Sequence, residues 1–420
     1  MKYKFREVKP IENDKFSIPN GIFRQTSGWA KLKKFFHNTC INGYDDQNNI
    51  VFSCSLLRFY IPFTLISVCY APNGFVCDFK NTKLIKEFTT YFKKYMKQNS
   101  IAYALFDPEI IKMINFELSE EGQIIHKQML SSGYIYEDKK AHQYMQINNN
   151  YQMVFDYDNK NIEDKTFNNF DKSLQYDINL CQTRGVTVEK YKGEEYIKDS
   201  NIFDIFYDLF IETSDRKGFG IKKKSFYQKM FNNLYKHSTI YLAKYNYDID
   251  YKNIKELITD ANSKIEELEN SGSKHIEKRV KELNENIKSY EKRLDTIEKY
   301  KDQTIYIGAA YFISMGSKSY YLLGANSKQL KFTQSTSLLV WQMIKDSLKK
   351  RVSIFNLGGS LSHTTEKIED DPMYSVYKFK KQLNGELVDY FGDYYLVNNS
   401  KIYNFLEKKH RLLKRLNSRF

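Results

Sequence analysis

The chain has 420 residues, of which 41% are apolar and 28% charged, with a formal net charge of +14. That length exceeds one small domain and suggests two or three, and the apolar share supports a packed core and excludes a disordered chain. Six prolines and 18 glycines leave little room for long structureless linkers. The cationic excess favours polyanionic partners: nucleic acid, nucleotide-linked substrates or an acidic membrane face. Part of that excess has a blander source, because Lys, Asn, Ile, Tyr and Phe are enriched together, as A/T-rich codon usage produces.

In chain order, residues 50–70 (IVFSCSLLRFYIPFTLISVCY) read as two apolar strands separated by a turn. Residues 80–100 repeat Leu84, Phe88, Tyr91, Phe92 and Tyr95 at helical spacing, and SIAYALFDPEI is a buried strand ending at Asp107-Pro108. A similar passage follows: a helix over NIFDIFYDLFIETSDRKGF, a strand over STIYLAKYNYDI, paired strands TIYIGAAYFISM and SKSYYLLGAN, a helix STSLLVWQMIKDSLKK and a strand VSIFNLGGS. FKKQLNGELVDYFGDYYLV closes as a strand hairpin. The repeated order predicts an α/β fold of two related lobes, at 1–148 and at 149–248 with 303–400, followed by a basic helix over 401–420 that docks on the body or touches anionic lipid or RNA.

Residues 249–302 interrupt the second lobe. Ile254, Ile258, Ala261, Ile265 and Leu268 alternate steps of four and three, as do Ile276, Val280, Leu283, Ile287, Tyr290, Leu294 and Ile297. These are the a/d seams of an antiparallel coiled-coil hairpin turning at Asn270-Ser271-Gly272-Ser273. At about 1.5 Å per residue each arm projects roughly 30–38 Å. Such an arm serves either to pair with a second, homologous chain or as a lever reaching a large partner such as tRNA, by analogy with seryl-tRNA synthetases.

Five cysteines (Cys40, Cys54, Cys69, Cys77, Cys181) form no CxxC and read as free thiols in a reducing compartment. The first residues lack a signal-peptide core, and no apolar run reaches the ~18 residues of a membrane span. The expectation is a cytoplasmic protein, at most peripheral at the inner face of the membrane. No GxxxxGK[ST], HExxH, Ser-His-Asp or Cys-His pattern is present, so neither a metal nor an organic cofactor is expected. Asn356-Leu357-Gly358-Gly359-Ser360 is a strand-end turn that can face a cleft, and His363 beside it is the one histidine singled out.

Three local motifs carry a resemblance. FRQTSGWAKLKKF (Phe23 to Phe35), Phe106-Asp107-Pro108-Glu109, and Tyr377-Lys378-Phe379-Lys380-Lys381 before a glycine turn resemble the Fem family, bacterial aminoacyl-tRNA-dependent transferases that build peptidoglycan interpeptide bridges. With the order of elements, the likeness spans the whole chain. It implies two acetyltransferase-like (GNAT-type) lobes, with the hairpin inserted in the second. It also implies an aminoacyl-tRNA donor and an acceptor that is a UDP-linked or lipid-linked muropeptide precursor, with no cofactor.

The resemblance assigns Lys33, with Lys31 as alternative, to the diphosphate of the precursor; an ammonium at a helix start suits a phosphate. It places Asp107 at the transfer centre, orienting the attacking amine or taking its proton, although Asp before Pro is also an ordinary turn starter. Phe379 and Lys380, with Tyr377 in the same motif, meet the aminoacyl end of the tRNA. Read as a strand, that segment sends Phe379 and Lys380 to opposite faces, and its bland reading is an edge strand protected by lysines. Arg216 and Lys222, in RKGFGIKKK, stand where relatives bind precursor phosphates. One departure is FDKSLQYDINLCQTRGVTVEKY, where the family's basic run is reduced to Lys172 and Arg184. It leaves a different small-molecule or peptide acceptor, or a non-catalytic binding protein on the same scaffold, as rival readings.

Overall fold

The computed structural model describes residues 2–33, 36–137, 149–158, 161–270, 276–361 and 368–406. The first half of the chain supplies β1 (Lys4–Val8), β2 (His37–Tyr44), β3 (Ile50–Tyr60), β4 (Ser67–Ala71), β5 (Val76–Cys77), β6 (Ile101–Phe106), β7 (Ile111–Ile114), β8 (Glu117–Leu118) and β9 (Ile135–Glu137). The second half supplies β10 (Asn149–Val154), β11 (Val186–Lys192), β12 (Ser238–Tyr245), β13 (Ile305–Met315), β14 (Lys318–Asn326), β15 (Ile354–Gly359), β16 (Glu386–Tyr390) and β17 (Asp393–Val397). They form two mixed sheets, ordered β1-β2-β3-β4-β6-β17-β9 (with β5 on β3) and β11-β12-β13-β14-β15-β10-β16-β7-β8.

The lobe boundaries drawn from the sequence are crossed twice. β7 and β8, from the first half, extend the second sheet, while β17, from the second half, inserts between β6 and β9 of the first. The expected closing hairpin is therefore not one. β16 pairs with β10 and β7, whereas β17 pairs with β6 and β9. Alternating apolar residues show that a segment is a strand but do not name its neighbour, and the two residues between Tyr390 and Asp393 carry the chain from one sheet to the other.

Both cores follow from strand periodicity. Along β12, Tyr241, Ala243 and Tyr245 face one cluster with Leu338, Trp341 and Ile344 of the helix Ser335–Lys349. Ile240 and Leu242 face the opposite cluster with Phe203, Phe206 and Phe210 of the helix Ser200–Lys217. Helices thus cover both faces, so β12 and β13 are buried at nearly every position instead of alternating. Phe231 stacks on Tyr311 at 3.7 Å between ring centroids, and each such fully buried side chain contributes about 1.5–3 kcal/mol. In the first lobe the helix Thr82–Gln98, capped by Asn81 accepting from the Leu84 N–H at 2.9 Å, buries Leu84, Ile85, Phe88, Phe92 and Met96.

The lobes meet along residues 18–22. Gly316, at φ +51°, lies where a Cβ would come within 2.1 Å of the Pro19 carbonyl oxygen, and the Tyr320 hydroxyl donates to the Gly21 carbonyl at 2.7 Å. The heptad segments are two helices, Tyr247–Asn270 and Ile276–Glu298. Asp250 pairs with Arg293, and the Tyr247 hydroxyl donates to Glu298 at 2.5 Å, so the helices run antiparallel from a common root. Ile254 and Ile297 are buried at that root, while Ile265, Leu268, Val280, Leu283 and Ile287 are half-buried beside exposed neighbours. Residues 271–273 of the turn expected at 270–273 and residues 407–420 of the expected basic helix lie outside the described residues; residues 401–406 are helical. All five cysteines are free.

Candidate active site

A cleft of about 180 Å3 opens where the carboxyl ends of strands from both lobes meet. Its first-lobe wall is Phe23, Arg24, Asn73, Asp107, Pro108 and Glu109; the facing wall carries Asn150, Tyr320, Tyr321, Asn356, Gly358 and Gly359, with Tyr390 and Phe391 at the crossing between sheets. The crevice beyond strand ends is where open α/β sheets place ligands.

Asp107 follows the last residue of β6, and proline after it stops the strand. β4 runs parallel to β6 with Ala71 beside Phe106, so the next loop arrives at the same level. The Tyr70 hydroxyl donates to Asp107 Oδ2 at 2.8 Å and the Asn73 backbone N–H to Oδ1 at 2.6 Å. These donors fix the carboxyl and favour its charged form. Loss of hydration wins over them, helped by the negative charge of Asp393, and raises Asp107 to about 7. The residue is nonetheless only partly buried and lines the cleft. A carboxylate there exchanges protons at neutral pH, which suits a general base. Phe106 does not join it: strand alternation turns its ring into the first-lobe core against Phe75, Phe92 and Tyr134.

The segment 23–33 brings one cation, Arg24, to the cleft; Lys31 and Lys33 follow it outside the lining. Buried Gln25 ties the segment down, donating to the carbonyls of Ser55 and Pro72 at 3.2 and 2.8 Å and accepting from the Ser55 N–H at 2.7 Å. Arg24 donates to Asn73 Oδ1 at 3.3 Å and lies over the Phe23 and Trp29 rings. Its Nε is buried and lacks a hydrogen-bond partner, as is Trp29 Nε1. Lys33 Nζ sits 5.2 Å from the centre of the Trp29 ring. Burial lowers its pKa, and repulsion from Lys222 and Arg24 adds to that. The three cations thus share one field, and an anion placed among them relieves it.

The expectation that Lys33 or Lys31 stands at a helix start is corrected. The helix is the short Ser27–Ala30, opened by Thr26, and Lys31 is its C-cap. Lys31 is exposed, while Lys33 is held by its ring contact. Lys222 is exposed beside Phe226, at 5.1 Å. Arg216 lies elsewhere: at the end of the helix Ser200–Lys217 it donates to both oxygens of Asn326, in a separate hollow of about 250 Å3. It is not among the residues lining the cleft.

The segment Tyr374–Lys381 is a helix, not a strand. YSVYKFKK carries no Gly or Pro, and Tyr374, Tyr377 and Phe379 are partly buried against the second-lobe core. The difficulty of opposite strand faces disappears, but Phe379 and Tyr377 point into that core, Tyr377 edge-on to Tyr151 at 6.4 Å. Lys380 is buried and does not line the cleft. It stands behind the Gly358-Gly359 wall and donates to those two carbonyls at 3.1 and 2.6 Å. Burial drives its pKa down to about 7, although two carbonyl acceptors favour its charged form. A sequence pattern reports which residues neighbour a turn, not which side of its backbone they occupy. The turn itself reaches the cleft through Gly358 and Gly359, and His363 lies outside the described residues.

Several cleft residues had weak or no sequence signals. Arg24 sits inside the first motif, where the lysines drew attention instead. Tyr70, Asn73 and Asp393 reach Asp107 only through sheet register. Glu109 pairs across the cleft with Lys318 and accepts from Asn73 Nδ2 at 3.2 Å. Among the described residues, no group of three or more His, Cys, Asp or Glu side chains is placed to hold a metal ion. No described helix is long and apolar enough to cross a membrane.

Comparison with known proteins gives these matches. The FemAB family model matches residues 10–410. The lipid II:glycine glycyltransferase of Staphylococcus epidermidis is 25% identical over 419 residues, covering 95% of this chain and 93% of that protein. Aminoacyltransferase FemA of Staphylococcus aureus is 24% identical over 406 residues, covering 92% and 93%. The crystal structure of FemX superposes with a TM-score of 0.73 at 20% identity, covering 96% of this chain and 100% of that one.

Proposed function

We propose, for a chain that belongs to the FemAB family, that it is an aminoacyltransferase moving an amino acid from aminoacyl-tRNA to an amine of a peptidoglycan precursor. The relatives named as lipid II:glycine glycyltransferases support a lipid-linked acceptor. The observation that carries the reading is Asp107, held by Tyr70 and Asn73 at the floor of the interlobe cleft and raised to about 7.

An aminoacyl ester is already activated, so neither ATP nor a covalent nucleophile is needed. The demands are a neutral amine, alignment, and stabilisation of the tetrahedral oxyanion. A lysine-type amine, with pKa near 10.4, is almost wholly protonated at neutral pH. Asp107 accepts a proton from it as the nitrogen attacks the ester carbonyl. The ammonium's other proton has by then gone to water; the new C–N bond forms, the C–O bond to the ribose breaks, and the departing 3′ oxygen takes from Asp107 the proton that it accepted.

The facing wall offers the carboxamides of Asn150 and Asn356 to the carbonyl oxygen as it gains charge. Lys380 acts through the backbone it holds and is a positioning residue. Lys33, Lys222 and Arg24 take the diphosphate of the precursor. The paired helices at 247–298 reach the tRNA body.

The test is transfer of labelled amino acid from a pool of charged tRNAs to lipid-linked precursor, read by mass spectrometry. The reading predicts an added residue on the stem-peptide or bridge amine, lost in D107N. Absence of any product with every charged tRNA refutes it.

A further inference from the structure

The end of the first lobe away from Asp107 carries a feature the cleft chemistry leaves unused. β3 and β4 are joined by Ile61-Pro62-Phe63-Thr64-Leu65-Ile66, closed by the Ile61 N–H donating to the Ile66 carbonyl at 2.9 Å. At its apex Phe63 is fully exposed and Leu65 is 87% exposed, with Phe59 and Tyr60 partly exposed beneath them. Phe36, just before β2, leans on Phe59 with ring centroids 5.8 Å apart. Single exposed apolar residues are ordinary, but a contiguous group at a loop tip marks an interaction site. Phe63 also sits at φ +63°, a region that bulky side chains rarely occupy.

The three segments beside this tip carry charge of one sign, with the acid Glu7 of β1 engaged behind them by the Tyr95 hydroxyl at 2.8 Å. Segments 31–37, 57–69 and 93–101 contain three, one and three Lys or Arg residues and not one Asp or Glu. The strands and bonds bring the segments together: His37 is opposite Arg58, the Ser67 N–H donates to the Ser100 carbonyl at 3.0 Å, and Arg58 donates to Ser67 Oγ at 2.8 Å and to the Asn99 carbonyl. Lys93, Lys94 and Lys97 are exposed on the last turns of the preceding helix. From the apex inward the order is phenyl and aliphatic groups, then Tyr60, then cations. That is the layering of an element that dips into a bilayer interface and keeps its charges at the head groups.

We infer that the β3–β4 tip docks the protein on an anionic membrane, inserting Phe63 and Leu65 between the lipid head groups. Charge complementarity chooses this occupant over a second copy of the chain, whose own tip carries the same positive field. The inference rests on the proposed reaction only for its benefit. Phe36, Lys33, Trp29 and Arg24 lead from the tip back to the cleft, and β6, six residues long, spans that interval, about 20 Å. A precursor anchored in the membrane would pass its diphosphate by Lys33 and Lys222 and reach Asp107 with its stem peptide.

The experiment compares the full-length wild type with the double variant F63D/L65D in co-sedimentation with vesicles of 3:7 phosphatidylglycerol–phosphatidylcholine and of phosphatidylcholine alone. Both side chains are exposed and aspartate tolerates the left-handed backbone, so the variant folds. The wild type should bind the anionic vesicles, weaken with salt, and lose at least tenfold in affinity in the variant. With lipid-linked acceptor in vesicles, KM should rise at least tenfold, while turnover of a soluble nucleotide-linked acceptor stays unchanged. Equal vesicle binding by both proteins, no binding by the wild type, or loss of self-association in the variant with vesicle binding intact each overturns the docking role. The sedimentation arm needs no transfer, so failure of the proposed reaction and failure of the docking are told apart.

Discussion

Asp393 offers a quantitative test of the site. Tyr394 lies opposite Phe106 in the β17–β6 ladder, so the next residues, Asp393 and Asp107, project from the same face as cross-strand neighbours. Their Cβ atoms are then about 5 Å apart. Asp393 is 1% exposed, and its charge is one cause of the raised Asp107 value, after desolvation and against the pull of Arg24 and the donors Tyr70 and Asn73. Two unit charges at that separation repel by about 3 kcal/mol at an effective dielectric of 20 and by under 1 kcal/mol in water. The half-open cleft lies between these limits, so about 1.4 kcal/mol, or one pKa unit, is expected. D393N removes a like charge, ionisation of Asp107 becomes easier, and its pKa falls by about one unit. The acid limb of kcat/KM then moves to lower pH. At pH 6 the ionised fraction rises from roughly a tenth to a half, a gain of about fivefold, whereas at pH 8.5 the two enzymes are equal. The assay is a pH–rate profile of amino-acid transfer, with D107N as inactive reference. An acid limb that stays in place, or moves up, refutes the charge coupling.

The raised Asp107 value also has a stability cost of definite sign. Below the unfolded carboxyl value near 3.9 both states are protonated; as pH rises through about 7 the folded state resists ionisation and loses stability. D107N should therefore be more stable than wild type by about 1–2 kcal/mol at pH 7.5, after discounting for the carboxyl's access to water, and no more stable at pH 4, as urea denaturation would show. K380M removes the ammonium that holds the Gly358 and Gly359 carbonyls; transfer should fall about a hundredfold, mainly in kcat, with the fold intact by circular dichroism, and K380R should restore part of it. K33A and K222A should each raise KM for the precursor about five- to tenfold, the cost of a lost phosphate contact, with a weaker dependence on salt. Excising residues 262–283 and closing the gap with a short glycine turn keeps the helix root at Asp250–Arg293; KM for aminoacyl-tRNA should rise while KM for the precursor does not.

What was legible in the chain was what depends on local order. The strand run 101–106 with Asp107 at its end and the amphipathic helix read at 201–219, which ends at Lys217, follow from the spacing of apolar residues, and the heptad segments are helices whose seam is buried only at Ile254, Ala261 and Ile297. Register between distant segments has no such trace. The exchange of β7 and β17 between sheets, the approach of Asp393 to Asp107, and the Glu109–Lys318 pair all depend on which strand lies beside which. The helix at 374–381 was misread because Tyr377-Lys378-Phe379-Lys380 alternates aromatic and lysine with period two, and so short a run does not show the helical period. Arg24 was hidden by its neighbours: three lysines within the next ten residues look like the phosphate contact. Only burial against Trp29 and the hydrogen bond to Asn73 single out the arginine.

The central claim is that Asp107, between the lobes, takes the proton from an amine attacking an aminoacyl ester. A single-turnover measurement with purified aminoacyl-tRNA and lipid-linked precursor, followed from pH 5.5 to 9 for wild type and D107N, tests it most directly. The account predicts a wild-type rate that rises through a pKa near 7 and a variant slower by at least a hundredfold at every pH. A variant that transfers at the wild-type rate, or a wild-type profile flat across neutrality, would contradict it.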